Sequence, residues 1–401
     1  MDAARRPGGG AAAALSRLLR PGRPLPAAPA LVHPGHVRCV LAVKLHDQLG
    51  DFLLVTPALR ALRERYPGAR LVLVTREFLA PLARRNRDLS DVWVMPRVRG
   101  PGGLLRLATI VAAIAGLRPD LAFVFNSVSR SKTADALAAL SGARLVVGRS
   151  AVFAGPVPAD APNVPLDGAL APARGGRDSV YDLDLAVARA SDHQVERYLD
   201  LVRWTGATPS RERLTLDLTA AEREAGLAAL VATAASAMEA SPGTPPRPWV
   251  GLHPGAANAL KCWPLESFVE LGAALAAADQ GEGRGPWIFV FDSPRERGRA
   301  AAVCAGLEAR GVRAAFVPAG GIERFAAMCA ALDLLVCNDS GVMHVAAALG
   351  VPTESFHSLG RPAEWAPRGA HAIAFHAPGG IASIPIQAAV EAAEGLLRAR
   401  G

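Results

Sequence analysis

"LAVKLHDQLGDFLLVTPALRALRERYPGARLVLVT", residues 41–75, sets two apolar runs around a stretch of helical periodicity. The first run, Val40–Val43, is short, continuous and β-branched, as in a strand buried on both faces. A polar turn follows, then an amphipathic pattern over 51–66 that "YPGA" ends, then the strand-like "RLVLVT" (70–75). This is a β-α-β unit at the start of a parallel sheet. A dinucleotide-binding unit would carry G-x-G-x-x-G at that turn, because only glycine lets backbone approach a pyrophosphate. Here there is one glycine, Gly50, and beside it an acid, Asp51.

The alternation continues on both sides of a central break. Strands are expected at 38–44, 70–75, 92–95, 121–125 and 144–148, with "PRVRGPGG" (96–103) as a loop and helices between. Residues 151–178 interrupt the rhythm, since the five prolines of "GPVPADAPNVPLDGALAPARGG" exclude regular structure. After the linker "EASPGTPPRP" (239–248) the pattern restarts at 249–255, 287–291, 312–317, 334–337 and 351–356. At 401 residues the chain exceeds one ordinary core. The expected organisation is a basic arm over 1–36, an α/β domain over 37–210, a connecting helix and linker over 211–248, and a second α/β domain over 249–401.

Composition narrows the function classes. The chain is 51% hydrophobic and 20% charged, which is globular. No apolar run approaches the ~20 residues of a membrane span. The net charge is +8, but five arginines against one acid in the first 35 residues supply half of it. The rest mixes its signs and shows no aromatic platform beside a basic cluster, which argues against nucleic acid. Arg17 and Arg20 interrupt the arm's weak apolar core, so it does not read as a secretory signal. The five cysteines form no C-x-x-C pair, which suits a reducing cytoplasm and not a zinc site.

Two stretches of the second half carry chemistry. In "LLVCNDSGVMHVAAALGVP" (334–352) a buried strand runs into a helix through Asn338, Asp339, Ser340 and Gly341, with His344 one turn on. Helix-start amides attract anions, and a small hydroxyl and a glycine let a diphosphate come close. Capping by Asp339 or Ser340 is the plain alternative, and it leaves Gly341 and His344 without a reason. In "GLHPGAANALKCWPLESF" (251–268) a strand leaves through His253, Pro254 and Gly255, and Lys261 stands before a helix opened by Pro264. The rival "YDLDL", with Asp182 and Asp184, mimics a metal-binding D-x-D, but reads as part of an amphipathic helix without strand context.

Together, "GDFLLVTPALRALRERYPGA", "HPGAANALKCWPLESF" and "NDSGVMHVAAALGVP", with "HQVERYLDLV" near the junction, resemble the family-9 glycosyltransferases, the heptosyltransferases of lipopolysaccharide core synthesis. The resemblance runs in order from about residue 38 to 370. It implies a GT-B fold, two Rossmann-like doubly wound domains facing across a cleft, with the acceptor on the first and the nucleotide sugar on the second. It further implies an inverting transfer from ADP-heptose, without a metal or other cofactor, to a lipid A-linked inner-core acceptor. The work would be done in the cytoplasm, at the inner face of the inner membrane. By the same resemblance Asp51 is the catalytic base, with Gly50 at the acceptor. Lys261 contacts the leaving diphosphate, and His253, Pro254, Gly255, Asn338, Asp339, Ser340, Gly341 and His344 line the donor. The sequence departs from the family at "DSPRER" (292–297) and "FHSLGRPAEWAP" (356–367), where donor specificity is set, with His357 and Arg361 as added polar groups. A nucleotide-sugar epimerase, another sugar nucleotide and a non-catalytic carbohydrate-binding descendant are the competing readings.

Overall fold

The computed structural model describes residues 31–46, 48–127, 129–149, 180–185, 193–238, 245–277, 285–293, 298–359, 361–369 and 371–399. The chain divides into two compact units, Met1–Glu212 and Arg213–Gly401. The expected basic arm up to residue 30, the proline-rich 151–178 segment and the 294–297 part of "DSPRER" lie outside the described residues.

The first unit holds strands β1 (Cys39–Val43), β2 (Arg70–Arg76), β3 (Asp91–Met95), β4 (Leu121–Val124), β5 (Leu145–Gly148) and β6 (Leu183–Asp184). They form one sheet in the order β3-β2-β1-β4-β5-β6, and every neighbouring pair is parallel. Its helices are α1 (Leu49–Leu53), α2 (Thr56–Arg65), α3 (Ala80–Ala83), α4 (Gly100–Leu117), α5 (Lys132–Leu140) and α6 (Gln194–Arg203). Val40–Val43 and Leu121–Val124 are buried throughout, as the unbroken apolar runs require.

The second unit repeats the plan. Strands β7 (Trp249–His253), β8 (Trp287–Phe291), β9 (Ala314–Val317), β10 (Leu334–Asn338), β11 (Thr353–His357) and β12 (Ala372–His376) pair in the parallel order β12-β11-β10-β7-β8-β9. Helices α7 (Ala220–Met238), α8 (Leu265–Ala277), α9 (Arg299–Glu308), α10 (Ile322–Cys329), α11 (Gly341–Leu349), α12 (Pro362–Trp365) and α13 (Ile386–Arg398) accompany them. One sheet face packs Val250, Leu252, Ile288, Val336 and Phe356 against α8, α9 and α13. The other packs Trp249, Phe289, Phe291 and Cys337 under α7, α10 and α11. The helix expected as a connector therefore contributes to this core. A Cβ on its Gly226 would come within 2.1 Å of the Ala327 carbonyl oxygen, so only glycine lets α7 and α10 approach this closely.

Several elements differ from the sequence expectation, each for a local reason. The 51–66 helix is two helices, because Pro57 opens a new first turn after the break at Leu54–Val55. The "PRVRGPGG" loop ends early, since Pro101 again starts a helix after Gly100 at φ 65°. "YDLDL" is not helical: Leu183–Asp184 is an edge strand on β5, and Tyr181 lies where a Cβ on Gly148 would fall. The partly exposed β12 has no counterpart in the expected pattern. Finally, α4 is by length and composition apolar enough to cross a membrane, although the sequence showed no such run. Arg106 and the misplaced loop had divided it.

Candidate active site

In a doubly wound sheet, ligands sit beyond the carboxyl ends of the strands, where the strand order reverses. The reversals here fall between β1 and β4 in the first unit and between β7 and β10 in the second. The candidate base, lysine and donor residues lie at these two points, at the end of β7 or β10 or in the segments that follow β1, β7 and β10.

Asp51 stands in α1, after β1, and is sealed. Its Oδ2 accepts from Lys44 Nζ at 2.7 Å and from Ser127 Oγ at 2.6 Å, and its Oδ1 accepts from the Tyr198 hydroxyl. Lys44 Nζ also donates to the Tyr198 oxygen at 2.8 Å. The four residues come from three places: Lys44 and Asp51 in the segment after β1, Ser127 just past β4, and Tyr198 on α6, its ring edge-on to Phe125. Burial acts to raise the Asp51 pKa, but the Lys44 charge and three donated hydrogen bonds outweigh it and hold the carboxyl below its ordinary value. Burial pulls the Lys44 ammonium down, and Asp51 opposes that pull. The Tyr198 phenol is driven well above its usual range by burial and by the neighbouring carboxylate, so it remains a donor. Neither Lys44, Ser127 nor Tyr198 was expected. The signals were present: a lysine closing an apolar strand seven residues before the acid, and a tyrosine inside "HQVERYLDLV".

A second buried set lies beside it. Tyr181 donates to Asp135, Arg130 pairs with the same carboxylate, and Asn126 Nδ2 donates to the Tyr181 oxygen at 3.1 Å. Asp182 Oδ2 accepts from the Val146 amide at 2.7 Å, so the first acid of the D-x-D fastens a strand.

In the second unit the expected residues converge. Lys261 Nζ lies 2.7 Å from Asp339 Oδ2, with the lysine side chain 29% exposed and the aspartate 9%. The loop bearing Lys261 is fixed from beneath. Trp263 is fully buried, its ring 4.2 Å from Phe356 and 5.3 Å from Phe268. Asn338 then ties two strand exits together: its Oδ1 accepts from the Trp263 amide and its Nδ2 donates to the Pro254 carbonyl, both at 2.9 Å. Arg299, absent from the expected set, adds Nε to Pro254 O at 2.9 Å and Nη2 to Trp263 O at 3.2 Å. Asn338 is thus a support for the turn at His253, Pro254 and Gly255 and for Lys261.

Above this support begins α11. Ser340 occupies its N-cap position, yet its side chain makes no capping bond and its Oγ is buried without a partner among the described residues. The capping alternative therefore fails for Ser340, and Asp339 is engaged with Lys261. The Met343 amide already donates to the Ser340 carbonyl at 3.2 Å, and the amides of Gly341 and Val342 are left for another acceptor. His344 is buried in the same helix. Burial lowers the His253 pKa, keeping that imidazole neutral.

The two polar groups added in the departing turn have different surroundings. His357 is fully buried at the end of β11, with Nε2 2.9 Å from Ser355 Oγ and Nδ1 3.9 Å from Asp339 Oδ2. Burial first, then Lys261 and His376, bring its pKa to about 4 against the pull of Asp339. Ser358 Oγ donates to Leu260 O at 2.7 Å, and Arg361 turns back to Glu364. Among the described residues no group of three or more His, Cys, Asp or Glu is placed to hold a metal ion.

Comparison with known proteins agrees with this layout. The model of glycosyltransferase family 9 (heptosyltransferase) matches residues 169–382. Among solved structures, a family 9 glycosyl transferase from Veillonella parvula is similar over 90% of this chain and 97% of its own, at 19% identity and a TM-score of 0.69. The Escherichia coli ADP-heptose lipopolysaccharide heptosyltransferase II covers 90% and 99% at 19% identity and 0.66. The E. coli heptosyltransferase WaaC with ADP covers 89% and 99% at 18% identity and 0.64. At such identities these likenesses establish the GT-B fold. No curated protein matches the chain. The family pattern nevertheless takes in more than half of the sequence, the Lys261 turn and the Asp339–His344 run included, and on that ground the chain belongs to glycosyltransferase family 9, the heptosyltransferases, and is a glycosyltransferase.

Proposed function

We propose that this enzyme transfers a heptose from ADP-heptose, with inversion and without a metal ion or other cofactor, to a lipid A-linked inner-core acceptor at the cytoplasmic face of the inner membrane. The supporting observation is the Lys261–Asp339 pair beside the uncapped start of α11. A cation from the β7 exit and the Gly341 and Val342 amides at the neighbouring β10 exit are what a leaving diphosphate needs. Lys261 moves from Asp339 to the diphosphate, and the Gly341 and Val342 amides take the remaining charge. His253, Pro254, Gly255, Ser340 and His344 shape the donor pocket, and Asn338 and Asp339 hold it in register.

The first unit supplies Gly50 and the base. A carboxylate oxygen has two lone pairs. Oδ2 of Asp51 fills both, with Lys44 and Ser127, while Oδ1 holds Tyr198 alone. Asp51 is sealed in the state described, so its surroundings open to admit the acceptor hydroxyl, and the free lone pair of Oδ1 then receives the acceptor proton. The acceptor oxygen bonds to the anomeric carbon as the bond to the diphosphate breaks, and ADP leaves. Such a base contributes about 10²–10⁴-fold.

A different nucleotide sugar is the second reading, favoured by the buried His357 where the donor turn departs from the family. Thermal stabilisation by ADP, UDP, GDP and NAD, with and without magnesium, separates the two. A ligand at 100 times its Kd adds about 2.7 kcal/mol. Selective stabilisation by ADP, indifferent to magnesium, is expected. Preference for UDP or GDP overturns the heptose donor while keeping the reaction class.

A further inference from the structure

The outer face of α4 is unlike that of a helix built for water. Its inner side packs Ile114 fully buried, with Leu107, Ile110, Val111 and Leu117 partly so, onto the core of the first unit. A helix of this kind normally turns charge to the solvent. Here Leu104 is 58% and Leu105 70% exposed, Ala108, Thr109, Ala112 and Ala115 are also exposed, and Val98 ahead of the helix is 48% exposed. Only 6% of this 18-residue apolar window is buried.

The charges of the segment itself are all of one sign. From residue 92 to 119 there is no acid, while Arg97 and Arg99 precede the helix, Arg106 lies within it and Arg118 ends it. All four arginines are exposed. An exposed apolar strip whose own segment carries arginines and no acid has the composition of a helix lying in a membrane interface.

We propose that α4 docks the protein on anionic phospholipid, its outer face in the headgroup–acyl boundary and its arginines on lipid phosphates. Spanning the bilayer is incompatible with Ile114 and its neighbours forming part of the core. A second copy is the poorer occupant, because a self-complementary dimer would bring each cationic rim against its own kind. The inference stands on this surface alone and does not depend on the donor or acceptor assigned above.

The test is flotation of the full chain with vesicles of phosphatidylcholine alone or mixed with phosphatidylglycerol, alongside light scattering. The wild type binds the mixed vesicles, less at high salt, and hardly binds phosphatidylcholine. The Leu104→Gln/Leu105→Gln protein loses binding by at least about tenfold, since two leucine side chains no longer leave water. Arg97→Gln/Arg99→Gln costs about fivefold per arginine. Leu105→Trp retains binding and its fluorescence shifts to the blue on the vesicles, a gain that no folding defect imitates. The basic N-terminal arm is common to all variants, so its contribution cancels. Absence of binding by the wild type, or equal binding by the leucine variant, overturns the proposal. A wild-type dimer that the leucine variant turns into a monomer also overturns it, and makes this face a protein interface.

Discussion

Two lysine–aspartate pairs in this molecule have the same 2.7 Å separation and opposite surroundings. Lys44–Asp51 has side chains 0% and 1% exposed; Lys261–Asp339 has 29% and 9%. The sealed pair has lost its water and depends on its partners for all compensation, which Ser127 and Tyr198 complete. The open pair keeps water within reach and can exchange one partner for another at little cost. Distance alone thus says nothing of role. The first arrangement fixes the position and charge of one carboxylate, and the second leaves a cation that water can reach and that the proposed function assigns to an anion.

The comparison breaks most visibly at Asp51. Asp51→Asn keeps the shape and removes the charge. Turnover should fall about 10²–10⁴-fold, the worth of a general base. Stabilisation by ADP should be unchanged, because the residues proposed to hold the donor lie in the other unit. Steady-state rates and thermal shifts of one preparation check both. Turnover close to wild type would remove Asp51 from the chemistry.

Lys44→Met attacks the same pair from its other side and leaves a buried carboxylate short of its cation. Breaking a buried pair this way costs about 3–5 kcal/mol in denaturant unfolding. It also predicts a pH effect. The Asp51 pKa is lowered in the folded protein, so its contribution is present above the unfolded value of 3.8 and is lost only as pH falls through the lower folded value. In Lys44→Met the largest lowering influence is gone and burial prevails. The acid limb of kcat/KM should then move to higher pH. An unmoved limb would mean that Lys44 does not set the charge of Asp51.

A third buried acid sharpens the contrast because it has no partner. Glu354 lies on β11, fully buried, with neither carboxyl oxygen hydrogen-bonded among the described residues. Burial drives its pKa well above the ordinary value. Above the unfolded value of 4.5 the folded state holds a proton that the unfolded state has released, so stability falls as pH rises. Glu354→Leu should raise stability at neutral pH by about 1–3 kcal/mol, the cost of an unsatisfied buried polar group. Glu354→Gln should flatten the pH slope above 4.5. Melting curves across that range decide it.

The difference between the pairs also explains what the sequence disclosed. The two parallel sheets were legible because buried parallel strands write themselves as unbroken apolar runs. Asp51, Lys261 and the Asp339–His344 run were legible because strand exits fall at fixed places in such runs. The partners of Asp51 were not, since Ser127 lies 76 positions away and Tyr198 147, and only folding brings them together. Edge elements were read least well. β6 has two residues and β12 is half-exposed, so neither shows a buried strand's signature. In α4 the sequence hid an apolar helix behind a proline and three glycines that the first turn accommodates.

The smallest expected change in stability belongs to the open pair. Lys261→Met removes an ammonium that water already solvates in part, so unfolding should shift by no more than about 1 kcal/mol. Asp339 remains near the surface and can be hydrated in its place. The ligand should feel the loss far more. A charge-assisted bond to a phosphate oxygen is worth about 1.5–3 kcal/mol, which is roughly 10–100-fold in ADP affinity. Calorimetric titration of ADP beside denaturant unfolding reads the two effects on one protein. Weak ADP binding with intact stability is the signature of a cation kept for its ligand. Lost stability with intact binding would instead make Lys261 a second Lys44, and the contrast between the two units would disappear.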